Sequence, residues 1–235
     1  MDRDTDSVKL PGAAPASPLT AQSLHAFLGM LAARTPTPGG GSVAALTGAM
    51  AAAQAAMAVA YTLGKAPAGQ VKAIPQHAGR GDASEAELRA QDQRLRAAAA
   101  RLEALIEQDR QAYESLNILL KVPVAARPAR QLATAVNRAI EVPQTVAQAA
   151  LDVLQMCQAL REKVKPALAS DLHIAAILAW AAVEASVLNI LVNVPLLADP
   201  QLKEQWDRQA AAYRLQAHAG LDPWRPDGAS PAPPP

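Results

Sequence analysis

The stretch Thr35-Pro36-Thr37-Pro38-Gly39-Gly40-Gly41-Ser42, followed by an Ala-rich run as far as Lys65, decides how this chain folds. Two prolines restrict φ on the approach, and three consecutive glycines allow a sharp turn and close contact with other atoms. Because Ala is the best helix former, the run predicts a helix from about Val43 to Thr62, with Ser42 as its N-cap. Small residues recur along it at helical spacing, so we expect a neighbouring helix to pack very closely against it.

A glycine turn that opens a helix also has chemical consequences. The first N–H groups of a helix have no partner within the helix, and its N-terminus carries partial positive charge. Such a turn suits an anion or an electron-rich ligand group. The alternative is a tight turn leading into a buried Ala-rich helix, and spacing alone leaves both interpretations open.

Two common phosphate-binding motifs do not account for these glycines. Residues 39–44 loosely fit a dinucleotide pattern, but Pro-Thr-Pro precedes them instead of an apolar strand, and no βαβ unit follows. Gly64-Lys65 is followed by Ala66, so the Ser or Thr that a nucleoside triphosphate loop uses to hold magnesium is missing. We therefore predict neither a dinucleotide site nor a triphosphate site.

Composition favours an all-α protein. Of the 235 residues, 51% are hydrophobic but only 3% are aromatic, so core volume must come from closely packed helices with small side chains. A formal net charge of +1 gives no electrostatic bias toward nucleic acid. The single cysteine, Cys157, excludes an intrachain disulfide, and the N-terminus lacks the apolar segment of a signal peptide. We expect one cytoplasmic helical bundle of long antiparallel helices.

Hydrophobic periodicity and capping signals predict the helices and their boundaries. After a polar tail at 1–18, a helical domain should cover 19–220, and a Pro-rich tail should cover 221–235. Residues 66–83 read as a Pro/Gly loop that is either a lid or an insertion. Besides the Ala-rich helix, the predicted helices are Thr20–Arg34 with Thr20 as cap, Ser84–Lys121 with a Ser84/Glu87 capping box, one from Pro128 that stops near Pro143, one from there to Lys165, Asp171–Val194 capped by Ser170, and Gln201–His218 with Trp206 and Tyr213 as packing anchors.

The long helix of 84–121 carries a seam of apolar residues that is interrupted once. Leu88, Leu95, Leu102 and Leu116 recur at seven-residue spacing, with Ala98, Leu105, Ala112 and Leu119 as companions. The missing member of the series is Asp109. A carboxylate at a seam position is costly unless it is paired, hydrogen-bonded or set in a polar pocket. Asp109 is therefore either a structural residue, in an ion pair or at a wet helix edge, or a general acid/base whose pKa is set by partial burial.

The helix of 171–194 is the most apolar of the chain, but polar residues interrupt it too often for a membrane span. Asp171 in its first turn is also the kind of acid that a helix dipole favours. Asn189 and Asn193 lie four residues apart on one face, where their amides either read a ligand or bond a neighbouring helix. No Cys/His cluster has ligand spacing, so no metal site is predicted, and Cys157 among apolar neighbours is predicted to be an inert thiol.

Between about Leu24 and Asp199 the chain resembles the cyclodeaminase/cyclohydrolase family of tetrahydrofolate metabolism, which includes methenyltetrahydrofolate cyclohydrolases and the cyclodeaminase domain of formiminotransferase-cyclodeaminase. The Pro-Gly-Gly-Gly-Ser turn is the most specific landmark, and the others add weight by their order. They are Phe27-Leu28, Met57, Thr62-Leu63-Gly64-Lys65, Asp109 with Ala112-Tyr113, Val142-Pro143, Ser170-Asp171, Leu188-Asn189 and Asn193.

The resemblance implies an all-α homodimer that binds a folate substrate and needs no further cofactor, nucleic acid or membrane. It implies a substrate site near the glycine turn at Pro38, Gly39, Gly40, Gly41 and Ser42. Within it, Asp109 and Asp171 are candidate catalytic acids, Asn189 and Asn193 orienting groups, and Lys65 a partner for the glutamate tail of the folate. Replacing either Asp by Asn is then expected to lower the rate at least tenfold.

The family chemistry joins or opens a one-carbon bridge between N5 and N10 of tetrahydrofolate. A cyclohydrolase is favoured slightly over a cyclodeaminase because no formiminotransferase domain is fused here. The chain departs from the family pattern at Ala60-Tyr61, at Ala66 and at Leu120-Lys121-Val122-Pro123. These departures motivate the alternative of a non-catalytic helical dimer that binds folate or a partner.

Overall fold

The computed structural model describes residues 17–64 and 82–224, and within these ranges all regular structure is helical. Six α-helices follow in chain order: α1 Leu24–Ala32, α2 Gly40–Leu63, α3 Asp82–Leu120, α4 Ala129–Leu160, α5 Ala169–Asn193 and α6 Pro200–Leu221. Short 3-10 turns precede α1 and α5 and follow α6. The predicted all-α class with long antiparallel helices is confirmed.

The Ala-rich helix α2 packs against α3 on one side and α5 on the other. Its small residues allow this: a Cβ placed on Gly48 would lie 3.1 Å from Leu102 on α3 and 3.5 Å from Ala182 on α5. The seam leucines of α3, from Leu88 to Leu116, are all at most 4% exposed. The predicted seam is therefore the buried face of α3, and Asp109 lies within it.

Helix α5 packs against α2, α4 and α6, and α4 contacts α2, α3, α5 and α6, so these two helices share the middle of the bundle. Together α2 and the segment Pro166–Leu196 are the two described stretches long and apolar enough to cross a membrane, but such helices also occur as cores of other proteins. Half of the apolar window of α2 and 44% of that of α5 are buried inside the bundle. The remaining apolar surface bears on how the chain assembles.

Two predicted helices on either side of Pro143 are in fact one, so that prediction was wrong. Helix α4 runs unbroken from Ala129 to Leu160 with Pro143 inside it. Proline has no N–H to give to the carbonyl of Ala139 four residues earlier. The side-chain amide of Asn193 on α5 donates to that carbonyl instead, at 3.1 Å. Tertiary structure thus supplies the bond that the helix lacks.

Several predicted caps were also displaced. Helix α1 is capped by Ser23 and not Thr20, and α2 begins at Gly40 after an extended Gly39, so Ser42 lies in its first turn. Helix α3 begins before Ser84, and α5 begins at Ala169 after Leu168, which leaves Ser170 inside the helix. Each observed boundary lies within a few residues of the sequence signal that predicted it.

The C-terminal helix α6 begins at Pro200, with the side chain of Asp199 as its cap, and ends at Leu221, just beyond Gly220. Tyr213 is 4% exposed, as expected of an anchor, and Trp206 packs on a second apolar cluster where α3, α4 and α5 meet. Trp224 stacks on His173 at a ring separation of 5.3 Å, so ordered packing extends four residues past the predicted domain end. The predicted tail at 1–18, the loop at 66–83 and the rest of the tail at 221–235 lie almost wholly outside the described residues.

Candidate active site

The glycine turn, α3, α4 and the end of α5 enclose a cavity of about 350 Å³. The antiparallel packing of α3 and α5 on α2 brings the middle of α3 and the C-terminal turns of α5 to the N-terminus of α2. We call this space the turn cavity. It is lined by Pro36, Thr37, Gly39, Gly40, Gly41, Asp109, Ala112, Tyr113, Ala139, Pro143, Asn189, Val192 and Asn193.

Asp109 sits directly on the glycine turn. A Cβ added to Gly41 would lie 1.9 Å from Oδ1 of Asp109, so only glycine leaves room for the carboxylate. The hydroxyl of the fully buried Ser42 donates to Oδ2 of Asp109 at 2.9 Å, and the backbone N–H of Ser42 donates to the same carboxylate. Asp109 therefore takes the place of an N-cap for α2, which explains why that helix starts without one of its own.

Burial raises the pKa of Asp109 above its ordinary value, because removing water disfavours the charged form. The two hydrogen bonds from Ser42 act in the opposite direction and offset part of that rise. Burial thus makes the protonated form of Asp109 more accessible than that of an exposed carboxyl group. Asp109 has the properties that a general acid/base requires.

A charged network holds the glycine turn against α3. Arg110 donates to both Glu107 and Glu114, with the Glu114 bonds at 2.7 and 2.8 Å. Glu114 in turn accepts a hydrogen bond from the hydroxyl of Thr37 at 3.2 Å, and Glu107 lies 3.4 Å from the backbone N–H of Leu19. The hydrogen bonds that Glu107 accepts, chiefly those from Arg110, hold the pKa of Glu107 below its usual range. The turn that carries Gly39–Gly41 is thereby fixed relative to Asp109.

Both predicted asparagines line the turn cavity. The side chain of Asn189 packs against Gly40. A Cβ added to that glycine would lie 3.2 Å from Oδ1 of Asn189. The amide nitrogen of Asn189 donates to Ala185 of its own helix, and that of Asn193 donates to Ala139 and to Asn189. Among the described residues no donor reaches either amide oxygen, so these oxygens are available to a ligand. The amide nitrogens therefore have the structural role, and the amide oxygens are the atoms that could bind a ligand.

Asp171 is not brought to the turn cavity. Its Oδ1 accepts a hydrogen bond from Gln54 Nε2 at 2.9 Å. Gln54 is thirteen residues beyond Gly41, which corresponds to about 20 Å along α2. Of the other predicted site residues, Pro38 and Ser42 are buried behind the cavity wall, and Lys65 lies outside the described residues.

Sequence reasoning missed several residues that line the cavity. Tyr113 is 45% exposed and stands one helical turn after Asp109, so the i,i+4 spacing alone could have placed it at the site. The sequence predicts Pro143 only as a helix stop, and it gives no prediction for Val192. Neither carried a signal, since both reach the cavity only through the packing of α4 against α5.

Two further groups bear on the chemistry. In the described ranges no three His, Cys, Asp or Glu side chains come together in a way that could hold a metal ion. Cys157 is fully buried, and burial raises the pKa of its thiol to about 12, in line with the predicted inert role. Among the described residues that line the turn cavity, Asp109 is the one carboxylate.

Comparison with known proteins gives consistent similarities. Residues 23–212 match the family model described as formiminotransferase-cyclodeaminase. The chain is 28% identical to a methenyltetrahydrofolate cyclohydrolase of Methylorubrum extorquens, over 85% of this chain and 91% of that protein. It is 29% identical to the formimidoyltransferase-cyclodeaminase of Sus scrofa, but it spans only 37% of the length of that protein.

A solved structure is also similar. The crystal structure of a formiminotetrahydrofolate cyclodeaminase from Thermotoga maritima matches with a TM-score of 0.68 and 27% sequence identity. The match covers 86% of this chain and 91% of that one.

Proposed function

This chain belongs to the formiminotransferase-cyclodeaminase family, and from that premise we propose that it is a tetrahydrofolate one-carbon enzyme acting on the bridge between N5 and N10. The observation that supports this most directly is the buried Asp109 carboxyl group, held on Gly41 and Ser42 inside a cavity of about 350 Å³. An acid with a raised pKa in a largely apolar cavity that also holds two asparagine amides suits chemistry that moves protons between nitrogen and oxygen.

In hydrolysis of the methenyl bridge, ionised Asp109 takes a proton from the water whose oxygen adds to the bridging carbon. The resulting tetrahedral carbon breaks its bond to N5, and protonated Asp109 returns the proton to N5. The new hydroxyl loses its own proton as the formyl group forms on N10, so one proton is released overall. Amide oxygens of Asn189 and Asn193 are placed to attract the cationic bridge beforehand.

In cyclodeamination the same carbon carries a formimino nitrogen. N10 adds to the carbon of the protonated formimino group, Asp109 takes the proton from N10 and passes it to the resulting amino group, and ammonia leaves with its C–N bond electrons, so the positive charge stays on the new methenyl bridge. Asp109 can perform both proton transfers in sequence, since the two nitrogens are attached to one tetrahedral carbon. Both activities use the same acid, and an assay rather than the fold distinguishes them.

Purified protein should be tested with both substrates in parallel. The absorbance of methenyltetrahydrofolate should fall through enzymatic hydrolysis, or ammonia should appear from formiminotetrahydrofolate, and Asp109→Asn should lower the rate about 100-fold while the fold is kept. Turnover of neither substrate, with folate binding retained, would contradict the proposal and select a non-catalytic binding protein.

We also propose that the chain works as a homodimer in the cytoplasm. Helix α5 exposes a stripe of apolar side chains at helical spacing, namely Ile174, Ile177, Leu188 and Val192. Val192 also lines the turn cavity, so a second copy packed on this stripe would lie beside the site. Light scattering should give twice the chain mass, and Leu188→Glu should give monomers. A monomeric wild-type protein at micromolar concentration would contradict this.

A further inference from the structure

A second groove of about 520 Å³ leads away from the turn cavity between α3 and α4. Ala112 lines both spaces, and the groove follows α3 toward Leu119 while α4 runs alongside in the opposite direction. On the α3 side Ile118 and Leu119 form an apolar wall at the far end of the groove, beyond the polar Gln111 and Ser115, and the α4 side is polar through Gln131 and Thr134. We call it the arginine groove after the two cations described next.

Two arginines, Arg130 and Arg138, line this groove, and no carboxylate does. Within the described part of the chain neither guanidinium donates a hydrogen bond or forms an ion pair. The nearest acid on α3, Glu114, is held by Arg110 and Thr37. Arg127, at the far end, donates to the carbonyls of Leu120 and Val122 at the end of α3. The groove therefore carries positive charge with no internal counter-ion.

The groove lies at a definite distance from Asp109. Ser115 on the groove wall is six residues along α3 from Asp109, or about 9 Å. Arg138 and Arg130 are eight residues apart on α4, or about 12 Å. Arg138 directly precedes Ala139 of the turn cavity, so a ligand whose reacting end touches Asp109 would meet Arg138 first and would need a spacer along the groove to reach Arg130.

We propose that the arginine groove binds the glutamyl end of the folate substrate, with Arg138 nearer to the turn cavity and Arg130 farther along. This rests on the proposed function. A folate has this order of parts: a reacting pterin, a flat aminobenzoyl spacer and an anionic dicarboxylate. Guanidinium groups match carboxylates by paired hydrogen bonds, and the ring of the spacer matches the apolar wall. The sequence had suggested Lys65 for this role; Arg130 and Arg138 give the tail a site on the bundle itself.

Paired substrates test the proposal directly. Methenyltetrahydrofolate would be compared with methenyltetrahydropteroate, which lacks the glutamate, on wild-type protein and on the Arg130→Gln/Arg138→Gln variant. The variant should raise the KM for the glutamate-bearing substrate about tenfold with kcat unchanged, and leave the KM for the pteroate unchanged. Added salt should weaken wild-type binding of the glutamate form only.

Arg94→Gln is the matched control, because Arg94 is exposed on α3 fifteen residues from Asp109, about 22 Å away along that helix. It should change neither KM. Equal effects of the double variant on both substrates, or no effect on either, would overturn the proposal while the enzymatic function stood. If wild-type protein turned over neither substrate, the same comparison would be made by titration of the two compounds, and loss of the preference for the glutamate form in the variant would still be required.

Discussion

Two aspartates contact α2, Asp109 at its N-terminus and Asp171 in its C-terminal half, and their surroundings differ. Asp109 is set on Gly41 and Ser42 inside the turn cavity, where burial raises its pKa. Asp171 is half-buried in the first turn of α5 and accepts one bond from Gln54, outside that cavity. The difference is that Asp171 has a helix N-terminus and one amide donor, whereas Asp109 combines burial, a hydroxyl donor and an adjacent cavity, and these favour it for the acid/base role proposed above.

The strongest way to break the comparison is to neutralise each acid in turn. We expect Asp109→Asn to lower kcat about 100-fold, within the range of general acid/base effects, and Asp171→Asn to change it less than about threefold. Steady-state rates with both folate substrates would measure this, and circular dichroism would show that each variant is folded. Equal losses for both variants would restore the role that the sequence suggested for Asp171.

The next largest effect should come from filling the space that Gly41 leaves for the carboxylate of Asp109. Gly41→Ala would place a methyl group where Oδ1 of Asp109 now lies, so the carboxylate must move. We expect kcat to fall about tenfold and stability to fall by about 1–3 kcal/mol, as for other overpacked sites. Thermal denaturation and kinetics would measure the two effects.

Gly29→Ala is the control for that substitution, because nothing lies within 4 Å of a Cβ added in the middle of α1. It should leave the rate unchanged and stabilise the protein slightly, as Ala is the better helix former. If Gly41→Ala behaved like Gly29→Ala, the close fit of Asp109 to the turn would have no functional meaning.

Much of the fold was accessible from the sequence because the signals were local. Seven-residue leucine spacing gave the buried face of α3, and from that face alone Asp109 was recognised as out of place. The single helix through Pro143 was not accessible, since the residue that completes its bonding, Asn193, is fifty positions away along the chain. The separation of Asp109 and Asp171 was hidden for the same reason: it depends on where α3 and α5 contact α2, and no spacing within one helix records that.

The pH dependence of stability tests the raised pKa of Asp109. An acid whose pKa is raised on folding contributes stability that is fully present below its unfolded pKa of about 3.9 and lost as pH rises through the folded pKa. We therefore expect the wild-type protein, relative to Asp109→Asn, to lose stability over that rise. Urea denaturation from pH 3 to 8 would measure it; parallel curves for wild type and Asp109→Asn would contradict it.

Ser42 offers a finer test of the same acid. Ser42→Ala removes a donor that favours ionised Asp109, so the pKa of Asp109 should rise further. The limb of the kcat/KM profile that depends on ionised Asp109 should then move to higher pH, with a loss of only a few-fold at the optimum. An unmoved limb would mean that a different group controls it, and Asp109→Asn should remove the limb altogether.

The smallest expected effect concerns the wall of the turn cavity. Asn193→Ala should cost about 1–2 kcal/mol by leaving the buried carbonyl of Ala139 without a donor. Pro143→Ala restores a backbone N–H to that carbonyl, so the same Asn193→Ala change should cost about 1 kcal/mol less in that background. A double-mutant cycle of unfolding free energies would measure this coupling. At the other end of α2, Gln54→Ala should cost less than Asn193→Ala, because its bond to Asp171 is partly exposed.

The absent side chain at position 41 also has an evolutionary consequence. While the acid at 109 is kept, no mutation of that glycine can be neutral, and once the acid is lost the restriction on the glycine disappears. The two codons should therefore change together or not at all. In newly sequenced genomes, we expect descendants that retain both residues to be active enzymes. Those that have replaced both should be duplicates that have lost the activity.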